Sequence, residues 1–574
     1  MSSVLPLKSL LNHRLACELM VRRHHAPQTN KTQITMTNPH PKTPGARRAV
    51  LFLFIVATLI PELLLGFTPL SRAYQLGFEL PYDGSAALLT NDAPAADLRI
   101  TMPGSPLGVA WGFLYGYLYV IPEQFMPQAR QLGAGFTRVC LFWNQIEPQK
   151  GKYDWTAVDA FVDQLNSPDE GLISLFSSSQ WAVQHPSALL PPAPAKNLED
   201  YHRFMRDLVS HCKGKVRYWQ NDGEPNDPLY WSGTKEQFVA QLRVFLQAVK
   251  EADPSAVVVV GGYDGLFGPP GAYQFPQQQA GLSFFDYVLK TGSNAFDVFD
   301  LHLYGDPYTI VGRVDIMRQK MRALGYEKPI ICTEYDGPGF FAFYENLKYV
   351  SLLTPWTQSV LQTGANGFST PDQSGSNRID QLYKNMSTLA PETQMFLLGC
   401  SPELEAKYNR IQSRDLVMRN VFAFAAGVQK SLYVELKQFQ IGRDNLMTLM
   451  WGKTELLDYQ NGSLQKLTPT AEAYQRMAKV FNGVRAVRHI SVPGMPSLFF
   501  FEMDRGAHGP AYVIWERRDA FSGEDAPPVP FDWAWTTKPP TASDALGHVV
   551  PVQMADDRLH LNVSVTPIFF EPEE

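Results

Sequence analysis

From residue 107 onward, short apolar runs rich in β-branched and aromatic residues alternate with amphipathic runs of helical length. No other feature of the chain constrains its fold as much. The strand-like runs are LGVAWGFLY (107–115), FTRVCLFW (136–143), GLISLFSSS (171–179), VRYWQND (216–222), AVVVVGGYD (256–264), DVFDLHLYG (297–305), KPIICTEYD (328–336) and SLYVELKQF (431–439). Helical patterns fall near 122–133, 155–165, 199–212, 234–251, 281–291, 311–324, 410–427 and 469–483. In 234–251, Phe238, Leu242, Phe245, Leu246 and Val249 recur at helical spacing, Thr234 stands at the capping position, and Asp253-Pro254 follows the end. Strands separated by helices imply βαβ units and a parallel sheet. Eight such units closing on themselves make an α/β fold of the (β/α)8 TIM-barrel type. A doubly wound open sheet would carry a Gly-rich phosphate turn after its first strand, and none is present.

Two regions break the rhythm. Residues 337–409 separate the seventh strand from its helix, and an insertion that long is expected to overhang the active face. After 488, short alternating runs such as SLFFFEMD, PAYVIWERR and RLHLNVSV, separated by turn residues, predict a C-terminal β-sandwich. The chain thus divides into an N-terminal extension (1–73), a segment that links or adds strands to the β domain (74–106), a barrel (107–487) and the sandwich (488–574).

Composition excludes some functions. Hydrophobic residues make up 45% and charged ones 18%, an ordinary globular balance. The net charge is −6 with no basic stripe in the body of the chain, which argues against nucleic acid as a partner. The five cysteines, Cys17, Cys140, Cys212, Cys332 and Cys400, are far apart with no C-x-x-C pair, so neither a disulfide framework nor a zinc site is expected. The start is basic and polar to Arg48 and runs into AVLFLFIVATLI and PELLLGF. That order reads as an export signal, with Ser71-Arg72-Ala73 as a small-x-small cleavage site. The alternative is that residues 49–67 are retained as a membrane tether, although Pro61 and Glu62 interrupt them.

Two carboxylates stand where chemistry is expected. Cleaving a glycosidic bond with retention needs two carboxyl groups about 5–5.5 Å apart, one to protonate the leaving oxygen and one to attack the anomeric carbon. In a barrel such groups project from the C-terminal ends of different strands. Glu224 follows the fourth strand within YWQNDGEPNDPLYW, and Glu334 ends the seventh within KPIICTEYDG. Strands four and seven face each other across an eight-membered ring. Glu224 is the candidate acid/base and Glu334 the candidate nucleophile.

These stretches carry a resemblance. FWNQIEPQKGKYDWTAVDAFVDQL, FDVFDLHLYGDPY, KPIICTEYDG and LTPTAEAYQRMAKVFNG are similar to motifs of the clan A retaining glycoside hydrolases, over roughly residues 107–485. The barrel with a terminal sandwich is most like family thirty-nine, which includes β-xylosidases and iduronidases. The resemblance implies a carbohydrate substrate and requires neither metal nor organic cofactor. By matching positions it implies a role for Arg138 beside the nucleophile, for His302 and Tyr304 at the end of strand six, and for Trp143 and Asn144 as a sugar platform and hydroxyl contact. Trp181 and Trp231 are further stacking candidates. Glu147 reads as a structural cap or ion-pair partner; the clan often supplies a tryptophan from the eighth strand, but SLYVELKQF has none and offers the polar Glu435 instead.

The chain departs from the clan at one place. Gly223 precedes the acid where the clan usually has the asparagine that binds the sugar 2-hydroxyl. Strand alternation puts Asn221 on the face of Gly223, where it is expected to substitute through a bulge. The departure keeps a second expectation open, a non-catalytic carbohydrate-binding protein on the same scaffold. Which sugar is bound depends on the loops 180–198, 265–280 and 337–409.

Overall fold

The computed structural model describes residues 98–110, 125–263, 276–352, 373–436, 442–460, 463–536 and 538–572. The extension 1–73, the apolar run 49–67 and most of the loop 265–280 lie outside the described residues. Among the described residues no helix is long and apolar enough to cross a membrane.

Eight parallel strands form one sheet: β1 (Leu107–Ala110), β2 (Phe136–Phe142), β3 (Glu170–Phe176), β4 (Tyr218–Asn221), β5 (Val257–Val260), β6 (Phe299–Asp300), β7 (Ile330–Tyr335) and β8 (Ser431–Tyr433). The order runs β5-β4-β3-β2-β1-β8-β7-β6. The ring closes between β5 and β6 through the parallel bridges Val259–Val298 and Tyr263–Leu301. The helices between the strands form for local reasons. In Lys235–Ala252, Thr234 accepts from the Gln237 amide while the Gln237 side chain accepts from the Thr234 amide, a full capping box. The fold expected from the alternation is the fold observed.

Period-two alternation builds the barrel interior in layers. Phe136, Leu172, Tyr218, Val259, Val298, Ile331 and Leu432 pack together as an apolar floor. One step toward the strand C-termini, Arg138, Ser174, Gln220, Asp300 and Thr333 are all buried, so the next layer is polar. Below the floor, Lys430 Nζ donates to the Pro103 and Ser105 carbonyls (2.8 and 2.9 Å) and pairs with Glu170 (2.6 Å). The described part of 74–106 therefore plugs the barrel base. It contains no strand, and the Ile100 amide donates to the Arg485 carbonyl at 2.8 Å.

The expected insertion ends earlier than its sequence pattern implied. The helix after it is Pro402–Ala425, begun by Ser401 capping Leu404 with Pro402 in the first turn, so residues 402–409 belong to the barrel helix. The rest contributes to a separate apolar core, in which Phe340, Phe341 and Phe396 pack with Tyr408 of that helix and with Leu446 and Leu449.

Between β8 and the last barrel helix, Pro469–Val480, lies a hairpin, β9 (Leu457–Gln460) and β10 (Ser463–Leu467), and beyond that helix come two antiparallel sheets. One joins β11 (Ala486–Ile490), β12 (Leu498–Asp504), β13 (Ala511–Glu516), β18 (Ile568–Glu571) and β15 (Thr541–Asp544); the other joins β14 (Val529–Ala534), β17 (Arg558–Val563) and β16 (Gln553–Ala555). Phe500, Phe531, Leu561 and Phe570 fill the space between them. Alternation turns Phe499, Phe501 and Trp515 the other way, onto Phe422 of the barrel helix. The Trp515 indole N–H donates to the Tyr308 hydroxyl at 2.9 Å, so the β domain is anchored to the barrel by a paired aromatic cluster.

Candidate active site

Both candidate carboxylates leave strands whose alternation is interrupted. In β4, Gln220 points inward and Asn221 outward. Asp222 then adopts a left-handed backbone (φ 56°), and the chain turns so that Glu224 faces the barrel mouth. In β7 the pairing with β8 shifts between Cys332 and Tyr335. Across that irregularity two successive side chains, Thr333 and Glu334, both face the interior. A bulge re-aims a side chain in this way at the cost of one ladder position.

One oxygen of Glu224, one of Glu334 and His302 Nδ1 lie within 4.8 Å of one another. His302 Nδ1 is 2.7 Å from Glu224 Oε1 and 3.6 Å from Glu334 Oε2. The ring lies over Gly262: a Cβ there would stand 2.0 Å from His302 Nε2. The Tyr304 hydroxyl donates to Glu334 Oε2 at 2.8 Å, and Arg138 forms a short ion pair with Glu334 Oε1. Burial pushes the Glu334 carboxyl up, but the charges of His302 and Arg138 and the hydrogen bonds from Arg138 and Tyr304 outweigh it and hold the group at about 2. Burial works against a charged His302, yet Glu334, Asp300 and the bond to Glu224 raise it well above the ordinary histidine value. Glu334 is thus an ionised carboxylate between two cations.

Beneath these groups a polar circuit crosses the barrel. Arg138 Nε donates to Ser174 Oγ (2.7 Å), Ser174 to Gln220 Oε1, and Gln220 Nε2 to Asp300 Oδ2 (2.6 Å). Asp300 also accepts from the Thr333 amide (2.9 Å) and hydroxyl (2.5 Å) and lies 3.3 Å from His302 Nε2. Ser174, Gln220, Asp300 and Thr333 were not singled out from the sequence. The signal that would have found them is the run of polar residues two positions beyond Phe136, Leu172, Tyr218, Val298 and Ile331 of the apolar floor. Glu224, His302 and Glu334 each offer one atom to a metal ion. The guanidinium on Glu334 and the protonated ring between the carboxylates place positive charge there instead.

The expected residues divide into two groups. Glu224, Glu334, Arg138, His302 and Tyr304 converge. The others do not join them. Trp143 is fully buried, stacked on Phe204 with its indole N–H on Glu147 (2.8 Å), so it is a core residue and not a sugar platform. Trp181, half-buried, donates to the Glu147 carbonyl at 2.9 Å and packs edge-on to Trp143. Glu147 also pairs with Arg203 at 2.6 Å, which makes it the brace its sequence position suggests. Asn144 accepts from the Gln180 amide at 3.1 Å and ties the loops after β2 and β3 together. Trp231 is 3% exposed and packs edge-on to Phe238. Asn221 donates to the Tyr201 hydroxyl (3.2 Å) in the helical layer. The left-handed turn at Asp222 breaks the alternation that would have aligned Asn221 with Gly223, so Asn221 does not substitute for the missing asparagine.

No family model matches the chain. Among solved structures, a family 39 glycoside hydrolase from the gut symbiont Bacteroides cellulosilyticus WH2 superposes with a TM-score of 0.51 and 13% identity, covering 84% of this chain and 82% of that one. A family 39 β-xylosidase from Caulobacter crescentus gives 0.48 and 16%, covering 85% and 98%. A family 39 enzyme from Xanthomonas axonopodis pv. citri gives 0.47 and 13%, covering 85% and 96%. At such identities the likeness is one of architecture, and on the first of these superpositions the chain has the fold of a family 39 glycoside hydrolase.

Proposed function

We propose that the protein is a retaining glycosidase acting on poly- or oligosaccharides. The observation that carries this reading is the pair of carboxylates from opposite strands, oxygens within 4.8 Å, with His302 between them. Glu334, kept ionised by Arg138, His302 and Tyr304, attacks the anomeric carbon while Glu224 protonates the departing oxygen. A glycosyl ester on Glu334 results. Glu224, now a carboxylate, takes a proton from water, the water attacks the same carbon, and the sugar leaves with its configuration retained. The charge on Glu334 also stabilises the oxocarbenium-like transition state.

The test is hydrolysis of a panel of aryl glycosides by wild type, Glu224→Ala and Glu334→Ala, together with labelling by a 2-fluoroglycoside. The reading expects the label on Glu334 and both variants impaired by several orders of magnitude. Full activity in both variants sinks it. The second reading, a non-catalytic carbohydrate-binding protein, is favoured by Gly223, which offers no side chain beside Glu224. It expects saturable glycan binding with no labelled carboxylate. We also propose export, through the basic and apolar N-terminal segments. The N-terminal residue of the mature protein decides between cleavage after Ala73 and a retained tether.

A further inference from the structure

Asp300 is fully buried at the end of β6, two residues before His302. Its neutral donors are Gln220 Nε2 and the amide and hydroxyl of Thr333. Its ion pair among the described residues is with His302 Nε2. A buried carboxylate needs a positive partner as well as hydrogen bonds, and a buried imidazolium needs a negative one. The same ring presents Nδ1 to Glu224 on its other side. We propose that Asp300 is a positioning residue of this site, which acts through Nε2 to keep His302 an imidazolium whose Nδ1–H is aimed at Glu224. The proposal rests on the glycosidase reading for its kinetic consequence, but not for its structural one.

The surroundings of His302 leave Asp300 this role. From the β4 end the ring meets Glu224, and from β7 it meets Glu334 and the Thr333 hydroxyl, the latter at 3.3 Å from Nε2. From the β5 end it meets the bare backbone of Gly262, and Tyr304 stands edge-on at 6.1 Å. Arg138 pairs with Glu334, and its charge also acts on Asp300. Arg313, from the helix Ile310–Ala323, donates to the backbone carbonyl of His302 at 2.7 Å and fixes the main chain there. Of the carboxylates around His302, Glu224 and Glu334 both change charge during double displacement. Asp300, sealed beneath, does not take part in bond making. Its carboxylate faces Nε2 at 3.3 Å from outside the bond-making steps, so His302 keeps its proton while its upper neighbours exchange theirs. An asparagine at 300 would offer an amide N–H to Nε2 and favour the neutral ring.

The experiment follows histidine Cε1–H NMR signals of the labelled full chain against pH, with the His302 signal assigned by its loss in His302→Gln. In wild type the signal stays at its protonated position from about pH 5 to pH 8, where an ordinary histidine titrates. In Asp300→Asn and in Asp300→Ser it moves to the neutral position within that range. The pH profile of kcat/KM gains a step at the same pH in both variants, with a loss on the order of tenfold above it. A neutral His302 in wild type at pH 8 overturns the proposal whatever the variants do. So does a His302 that stays protonated in a folded variant, even if activity falls uniformly. If wild type hydrolyses no glycoside, the functional reading fails and the NMR comparison still decides the role of Asp300.

Discussion

The ring of Phe176 fills the space that a side chain at Gly223 would need: a Cβ built at 223 would stand 2.8 Å from Phe176 Cζ. The glycine before the candidate acid therefore belongs to a packing arrangement that includes the last residue of β3, where Phe142, Leu189, Leu190 and Leu229 complete the cluster. Gly223→Asn alone overpacks this wall and is expected to cost about 1–3 kcal/mol of stability without a gain in rate. Combined with Phe176→Ala, the asparagine has room. The ratio of kcat/KM for 2-hydroxy over 2-deoxy aryl glycosides should be small in wild type and rise in the double variant, since a 2-hydroxyl contact strengthens in the transition state. An unchanged ratio in a stable double variant refutes the idea that Phe176 excludes that contact.

Removing the guanidinium from Glu334 should move the acid limit of activity. In the folded protein Glu334 is held at about 2, against an ordinary value of 4.5, and its side chain is 19% exposed. A depressed carboxylate adds stability that is fully present above pH 4.5 and is lost as pH falls toward 2, roughly 3 kcal/mol in all. In Arg138→Gln the folded value rises toward the ordinary one. The acid limb of kcat/KM then shifts to higher pH, and the acid-unfolding midpoint rises with it. Stability at neutral pH drops by about 3–5 kcal/mol, because a buried charge loses its partner. Titration of rate and of thermal stability checks both.

Gly262 is expected to be intolerant of even a methyl group. The Cβ of alanine would meet His302 Nε2 at 2.0 Å, and the ring is hemmed in by Glu224, Asp300 and Thr333. The ring must swing away, which breaks the contact with either Glu224 or Asp300. Gly262→Ala should lower kcat by two orders of magnitude or more, roughly the contribution of one aligned proton-transfer group. KM should change little, and the circular dichroism spectrum should match wild type.

The sequence made the scaffold legible because period-two and period-3.6 patterns survive wherever a strand or helix is regular. The eight strands sit in such stretches, which is enough to place the two carboxylates at the ends of β4 and β7, and the alternation of Arg138, Cys140 and Phe142 along β2 carries through into the barrel. What it misassigned lies where the backbone departs from regularity. The left-handed Asp222 separates Asn221 from Glu224, and the bulge in β7 turns Thr333 and Glu334 to the same side. Neither departure has a glycine or proline at the deviating residue to announce it. Trp143 and Trp231 were misread for a different reason. An indole N–H that finds a partner, Glu147 or the Thr234 carbonyl, can be buried as readily as exposed, and composition alone does not separate the two.

Asp222 offers a way to separate stability from catalysis two residues from Glu224. Its carboxylate is buried and accepts from the Ser177 amide (2.8 Å), the Ser177 hydroxyl (2.9 Å) and Asn221 Nδ2 (2.9 Å). Burial raises the group, and these hydrogen bonds return only part of the shift, leaving it at about 7 against an ordinary 3.8. The sign follows from proton counting. Between those two values the folded chain holds a proton that the unfolded chain has released, so stability falls as pH rises through that window, by at most about 4 kcal/mol. Asp222→Asn removes the titration. Asparagine tolerates the left-handed backbone at φ 56° and still accepts from the Ser177 amide. The variant should match wild type near pH 4, exceed it in melting temperature at pH 8, and keep the wild-type kcat/KM if Glu224 is held in place by the shape of the turn. A variant less stable than wild type at pH 8 would show that the charge of Asp222, and not its geometry, ties the end of β4 to the end of β3.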